Sequence, residues 1–327
     1  MLFEKAIRFG DNWMSLYEDP VITYNSWCSA IMNTDEPNSI INQLGSLYWD
    51  IGVYKAQIRT WGYGKTEKAA IPPLFFDHFL KTFGLYVTAS IRKLLEKSPK
   101  GRPEKSVISL QSLATEIQIK RTSYTRTVLF QAKNITYSYE EVKAAHERYS
   151  REQLSAGNRT YCVPQALNKS NTESLHLQWD SVTDTRSGYR TESDHLSEES
   201  LQQMEKQIKL FWKEIEYLAN KFYLHASTSE SRAIYTKTNE AALPSINKLI
   251  TIALGCGSIY GQLCRILAIG AIQPLPYAQF DKWEGYKPNH FATKDKLEEG
   301  WQAWENEIMS AINTELPLET KNALFYT

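Results

Sequence analysis

The fold of this chain is decided by the stretch Ser197-EESLQQMEKQIKLFWKEIEYLANKFYLHASTSESR-Ala233. Its apolar residues recur at alternating spacings of three and four, which predicts an amphipathic helix with one buried face. The hydroxyl of Ser197 is a suitable N-cap, and Glu198 and Glu199 place negative charge in the first turn. The apolar stripe consists of Leu201, Met204, Ile208, Phe211, Ile215, Leu218 and Phe222.

The next position of this stripe is His225, where the pattern predicts a leucine or an isoleucine. Lys221 lies one helical turn before it, and Arg232 follows within a Ser/Thr-rich segment. A cation beside an imidazole lowers the pKa of the imidazole and can hold a phosphate group. Two interpretations therefore stand: His225 is a functional residue, or it forms a structural hydrogen bond at the end of a core helix.

The remaining periodic segments also favour helices, and no segment alternates convincingly like a strand. We therefore predict an all-α multi-helix bundle that forms a single domain over residues 1–327. Its parts are N-terminal helices in 1–70, a core in 73–272 that includes a loop at 156–197, and a connector and helix in 273–327.

Within these parts, the segment from Pro73 to just before Ser98 is apolar on most sides, which favours a central position in the bundle. A helix is also predicted at 106–117, and 121–139 fits either a helix or a strand. The other predicted elements are a polar helix at 139–154, a loop at 156–174, a buried helix at 249–272 and an amphipathic helix at 293–312.

The charge composition excludes a global electrostatic preference, because 37 basic residues balance 37 acidic ones. A local surplus exists between Lys81 and Arg126, with ten Lys or Arg against three Glu. This surplus fits either a solvated helix face or a path for RNA.

Several features bear on cofactors and location. The four cysteines lie far apart, which argues against a zinc knuckle or a disulfide framework. The N-terminus has no signal-peptide pattern, and polar residues interrupt the apolar run at 249–272, so we expect a cytoplasmic protein with no membrane span. Gly255, Gly257 and Gly261 imitate a dinucleotide-binding turn, but close helix packing explains them equally well. We expect no cofactor.

Three aspartates and a histidine between two predicted helices are candidate ligands for a metal ion. Carboxylates and a histidine are ligands for hard cations, but these side chains have no recognised ligand spacing. Loop caps and solvated charges are the preferred interpretation, so we expect no metal. The residues are Asp180, Asp184, Asp194 and His195.

The segment Asn220-Lys-Phe-Tyr-Leu-His225-Ala-Ser, followed by Ser231-Arg232, resembles the Asn-Lys-x-x-x-Ala-His segment of the HEPN (higher eukaryotes and prokaryotes nucleotide-binding) superfamily. Within it, the chain is most similar to the branch associated with AbiU-type abortive infection. The resemblance covers roughly residues 75 to 310. It also rests on the Asp-containing segment from Trp179 to Ser197 and on the segments 85–97 and 109–117.

This resemblance implies an all-α bundle, often a homodimer, that acts as a metal-independent endoribonuclease in toxin or phage-defence systems. The family's site is an Arg followed, after four to six residues, by a His. Here the position six before His225 is Ala219, and no Arg precedes His225 within that range.

Two functional hypotheses follow. In the first, the chain is a ribonuclease in which His225 is the general acid or base and Asn220 orients it or the phosphate. Lys221, Arg232 or Arg92 offsets the charge on the phosphorus. The residues expected to bind RNA are Arg92, Lys93 and Arg190. In the second, the chain is an inactive dimeric module that binds a nucleotide, RNA or a partner such as an antitoxin.

Overall fold

The structure, a computed structural model, describes residues 19–60, 73–98, 107–183, 190–219, 246–275 and 294–313. Within these ranges the regular elements are helices, and two isolated β-bridges pair residues of the connecting segments. The predicted all-α class is therefore confirmed. The α-helices are α1 (Pro20–Met32), α2 (Ile40–Thr60), α3 (Pro73–Leu95), α4 (Leu110–Lys120), α5 (Arg126–Ala132), α6 (Tyr139–Ser155), α7 (Lys169–Asp180), α8 (Glu198–Leu218), α9 (Ile246–Ile266) and α10 (Lys294–Asn313).

Helix α8 follows the predicted stripe. Every stripe residue from Leu201 to Leu218 is buried, and the Ser197 hydroxyl accepts a hydrogen bond from the backbone N–H of Ser200. The buried stripe packs α8 against α3, α4 and α9. Phe222 and His225, which continue the stripe in sequence, lie outside the described residues.

Helix α9 is the centre of the bundle, where it packs against α2, α3, α4, α8 and α10. Its glycines are sites of close approach: a β-carbon at Gly255 would meet the ring of Phe211, and one at Gly261 would meet the backbone carbonyl of Ile312. Close helix packing therefore accounts for these glycines. Among the described helices, α9 is also the one long and apolar enough to cross a membrane, with 72% of its apolar window buried.

The prediction that α3 is central is confirmed in part, because α3 packs against α2, α4, α8 and α9. The helix has the predicted bounds and buries Val87, Ile91 and Leu94, but it exposes Leu85 and Tyr86. An apolar composition on most sides of a helix therefore does not mean that every side is buried.

Two other predictions require correction. The helix predicted from Ser106 begins at Leu110, where Ser109 provides the N-cap to the N–H of Ser112. The predicted loop at 156–174, within the longer loop 156–197, contains the start of α7. Asn168 caps α7, and Leu175 and Trp179 bury one face of it, although its other residues have the polar composition of a loop.

The segment 121–139, which fitted a helix or a strand, contains the short helix α5. Thr125 caps this helix with its hydroxyl, which accepts from the N–H of Val128, and Leu129 and Phe130 are buried. Helix α5 packs on α1. It also carries Arg126, whose guanidinium contacts the end of α7 and the segment before α8.

Candidate functional site

The residues expected to carry catalysis lie outside the described residues. His225, Asn220, Lys221 and Arg232 all follow Ala219, the last described residue of this segment. Ala219 is the C-cap of α8 and has no exposed surface. The position six before His225, where the resemblance predicts an Arg, is therefore part of the buried core.

The residues expected to bind RNA lie in two separate elements. Arg92 and Lys93 are in the last turn of α3, and the Lys93 ammonium donates to Oδ1 of Asn38 at 2.8 Å. Arg190 lies in the connection to α8, where its guanidinium donates twice to Oδ2 of Asp180, at 2.9 and 2.7 Å.

Several basic residues of the local surplus are buried or paired in the folded protein. Arg126 has no exposed surface, and Arg121 forms an ion pair of 2.6 Å with Glu198 on α8. Lys120 lies 3.5 Å from Glu116 one turn earlier on α4. These three basic residues are therefore paired within the fold, and the choice between a solvated helix face and a path for RNA stays a prediction.

Arg126 is the centre of a buried charge cluster that the sequence does not reveal. Its Nε and Nη2 donate to Oδ2 of Asp194 at 3.1 and 2.9 Å, and Nη2 also donates to Oδ1 of Asp180 at 2.8 Å. Its Nη1 faces the backbone oxygen of His176 at 3.3 Å and the Nδ1 of the same residue at 3.2 Å. These five contacts match the five N–H donors of a guanidinium. We call Arg126, His176, Asp180, Arg190 and Asp194 the Arg126 cluster.

The tautomer of His176 follows from its two neighbours. Nε2 lies 2.9 Å from the backbone oxygen of Tyr137, and a carbonyl oxygen only accepts, so Nε2 carries the proton. Nδ1 is then the acceptor for Arg126, and the ring is neutral. Burial lowers the pKa of His176, and the positive charges of Arg126 and Arg190 lower it further.

Asp180 joins the two arginines of the cluster. Burial acts to raise the pKa of its carboxyl group, but the hydrogen bonds and charges of Arg190 and Arg126 outweigh this effect and lower the pKa. The hydrogen bond to Asp180 raises the pKa of Arg190 in turn. Glu173, 3.5 Å from Arg190, extends the network toward solvent.

The cluster fastens residues 190–195, which we call the strap, to α5 and α7. The backbone N–H of Arg126 donates to the oxygen of Asp194 at 2.8 Å, and that of Thr127 donates to the oxygen of Glu192 at 3.2 Å. Asp194 also accepts from the N–H and the hydroxyl of Thr191. The strap leads through the buried Leu196 to Ser197, the N-cap of α8.

The metal interpretation of this region does not fit the geometry. Asp180 and Asp194 bind an internal guanidinium, and His195 is exposed and pairs with Thr125 through its backbone. Asp184 lies outside the described residues. Within the described ranges no group of three or more His, Cys, Asp or Glu side chains could hold a metal ion. The preferred interpretation, loop caps and solvated charges, is confirmed only in part. Asp194 caps the loop by accepting from the N–H of Thr191, but the side chains of Asp180 and Asp194 are only 16% and 9% exposed.

The cluster holds separate segments of the chain together through charged hydrogen bonds. Both carboxylates, both guanidiniums and the imidazole are partnered within it, so it offers no free nucleophile.

No protein-family model, curated protein or solved structure matches this chain.

Proposed function

We propose that this chain is a HEPN-like protein of a toxin or phage-defence type that cleaves RNA without a metal ion. The observation that carries the proposal is the segment Asn220-Lys221-x-x-x-His225, which directly follows the described part of α8. The all-α bundle around α8 is compatible with the resemblance. Periodic burial of the stripe up to Leu218 also supports reading His225 as the next position of that stripe in sequence.

In the proposed reaction, His225 takes the proton from a ribose 2′-hydroxyl, and the 2′-oxygen forms a bond to the adjacent phosphorus. The bond from phosphorus to the 5′-oxygen breaks, and the 5′-oxygen leaves as a hydroxyl after it takes a proton from the imidazolium or from water. Lys221 and Arg232 offset the negative charge that develops on the phosphorane oxygens. Asn220 orients the imidazole or the phosphate by hydrogen bonding. No step of this mechanism uses a metal ion.

RNA binding is assigned to the end of α3. Arg92 and Lys93 lie together there, in its last turn, and contact phosphates in this proposal. Arg190 stays a predicted RNA-binding residue, although its guanidinium already donates two hydrogen bonds to Asp180. The chain is proposed to act as a cytoplasmic homodimer with no membrane contact, regulated by an antitoxin or another defence partner.

The experiment is incubation of the purified protein with labelled total RNA in excess chelator. His225→Ala is compared with the parent, and His195→Ala is the matched control because His195 is an exposed histidine of the strap. Cleavage by the parent and by His195→Ala, but not by His225→Ala, is the expected result. If His225→Ala cleaves as fast as the parent, the assignment of His225 is wrong.

A second function is favoured by one observation, the burial of Ala219. An Arg at this position belongs to the family's site, whereas here a small side chain without exposed surface takes its place. The alternative proposal is an inactive dimeric module that binds a nucleotide, RNA or a partner protein. In that case the parent cleaves no RNA and His225→Ala lowers the melting temperature, and an unchanged melting temperature contradicts the structural role of His225.

A further inference from the structure

Arg126, which binds the strap through Asp194, also forms a hydrogen bond to α7 that a single proton abolishes. Nδ1 of His176 accepts from Nη1 of Arg126 at 3.2 Å, while Nε2 of His176 donates to the oxygen of Tyr137 at 2.9 Å. The imidazole has therefore one site left for a proton, and that site faces a permanent cation. We propose that the Arg126 cluster is an acid-sensitive latch, in which protonation of His176 at Nδ1 displaces Arg126 and so releases the strap from α5.

The protonation step changes two interactions at once. A proton taken up from solvent converts Nδ1 from an acceptor into a donor, so that two donors face each other across the former hydrogen bond. The new imidazolium also places a second positive charge beside Arg126, which has no exposed surface and so little solvent to screen the repulsion. The latched state is therefore incompatible with a protonated ring.

The surroundings do not compensate for this charge. The groups around the imidazole are Arg126 from α5, the carbonyl and ring of Tyr137, Glu173 of α7, and Arg190 of the strap. Asp180 and Asp194 are already bound to the two guanidiniums, and α6 adds no described charge that shifts the pKa of His176. The net effect of burial and these charges is a lowered pKa, so the closed latch keeps its histidine neutral.

When the latch opens, the strap moves and α7 stays in place. Thr191, Glu192 and Ser193 are exposed, and the strap has no helical hydrogen bonds of its own. In contrast, His176 belongs to α7, which is anchored by the buried Leu175 and Trp179. Opening costs the strap its bonds to Arg126 and Thr127 while α7 stays packed. Because the strap leads to Ser197, acid loosens the connection that begins α8.

The test is hydrogen exchange of the full chain at several pH values between about 5 and about 7, a range in which ordinary carboxyl groups stay ionised. The diagnostic amides are those of Arg126, Thr127 and Thr191, whose acceptors all lie in the strap. After correction for intrinsic exchange, we expect their protection to fall by up to about tenfold per pH unit below about 6.5. Amides in the middle of α9, such as Leu263, are the reference.

Two variants separate the latch from general acid loosening. His176→Gln keeps an N–H for the carbonyl of Tyr137 but does not titrate, so the pH dependence of the three amides is expected to disappear. His146→Gln is the matched control, because His146 bonds the oxygen of Leu167 away from the cluster, and it is expected to behave like the parent. Protection that is independent of pH in the parent, or an unchanged dependence in His176→Gln, overturns the proposal.

A measurement on the parent protein covers the case in which His176→Gln does not fold. Nuclear magnetic resonance of the imidazole nitrogens is expected to show the tautomer protonated at Nε2 and a pKa below 6.5 for His176. A proton on Nδ1 at neutral pH, or a pKa at or above that value, would show that the ring cannot act as this latch.

Discussion

The guanidinium of Arg126 donates two hydrogen bonds to one carboxylate oxygen of Asp194, although 68 residues separate the two in the chain. Its Nη2 also bonds Asp180, so one fully buried cation joins the end of α7 to the segment that precedes α8. A buried charge is tolerated only when it is paired, which makes each of these partners dependent on the others. Two testable predictions concern this cluster, and two concern other parts of the molecule.

The first concerns Arg126 itself. Arg126→Met keeps much of the side-chain volume but leaves Asp194 without its cation, and we expect the free energy of unfolding to fall by about 3 to 5 kcal/mol. Urea denaturation measures this change. Arg121→Met is the control, since Arg121 pairs with a half-exposed Glu198 and the expected loss is at most about 1 kcal/mol. Equal losses in the two variants would show that the cluster has no special role.

The second concerns acid stability. The pKa of Asp180 is lower in the folded protein than its ordinary 3.8, so its contribution to stability is present above that pH and is lost as the pH falls through the lowered value. Asp180→Asn is therefore expected to be less stable than the parent near neutral pH, with the difference shrinking below about pH 4. Urea unfolding of both proteins across this range checks it, and a constant difference would contradict it.

His176 acts in a different pH window. Its pKa is lowered below 6.5, so the unfolded chain takes up a proton that the folded chain does not, and unfolding becomes easier as the pH drops from about 6.5 toward the lowered value. This loss precedes the one caused by Asp180. The losses of stability caused by His176 and by Asp180 therefore fall in different pH ranges.

The third prediction concerns the packing of α9 and α10. A β-carbon at Gly261 would overlap the carbonyl of Ile312, so we expect Gly261→Ala to destabilise the protein by about 1 to 3 kcal/mol despite the better helix propensity of alanine. At Gly270 nothing lies within 4 Å of that position, and Gly270→Ala is expected to be nearly neutral. Thermal unfolding of the two variants compares them, and a stable Gly261→Ala would contradict the close approach of the helices.

The helices with strong periodic stripes could be predicted from the sequence. The alternation of three and four along α8 and the spacing of Leu297, Trp301, Trp304 and Ile308 along α10 both correspond to buried faces. Helix α7 could not be predicted in this way. It buries only one narrow face around Leu175 and Trp179, and its remaining residues have the composition of a surface loop.

The Arg126 cluster was beyond sequence reasoning for a different reason. Asp180 and Asp194 stand out by their charge, but their partner is 54 and 68 residues away, in a segment whose secondary structure was ambiguous. A periodic pattern reports on neighbours within one element and not on contacts between elements. The candidate site around His225 rests on a short motif, so it stays a prediction.

The central claim, a ribonuclease that uses His225 on a ribose 2′-hydroxyl, is tested most directly by the ends of the RNA products. The fourth prediction is that cleavage by the parent in excess chelator leaves 2′,3′-cyclic phosphate and 5′-hydroxyl ends, because the 2′-oxygen is the nucleophile. These ends are expected to be absent with His225→Ala. Products with 3′-hydroxyl and 5′-phosphate ends would mean that water is the nucleophile, and they would contradict the proposed mechanism.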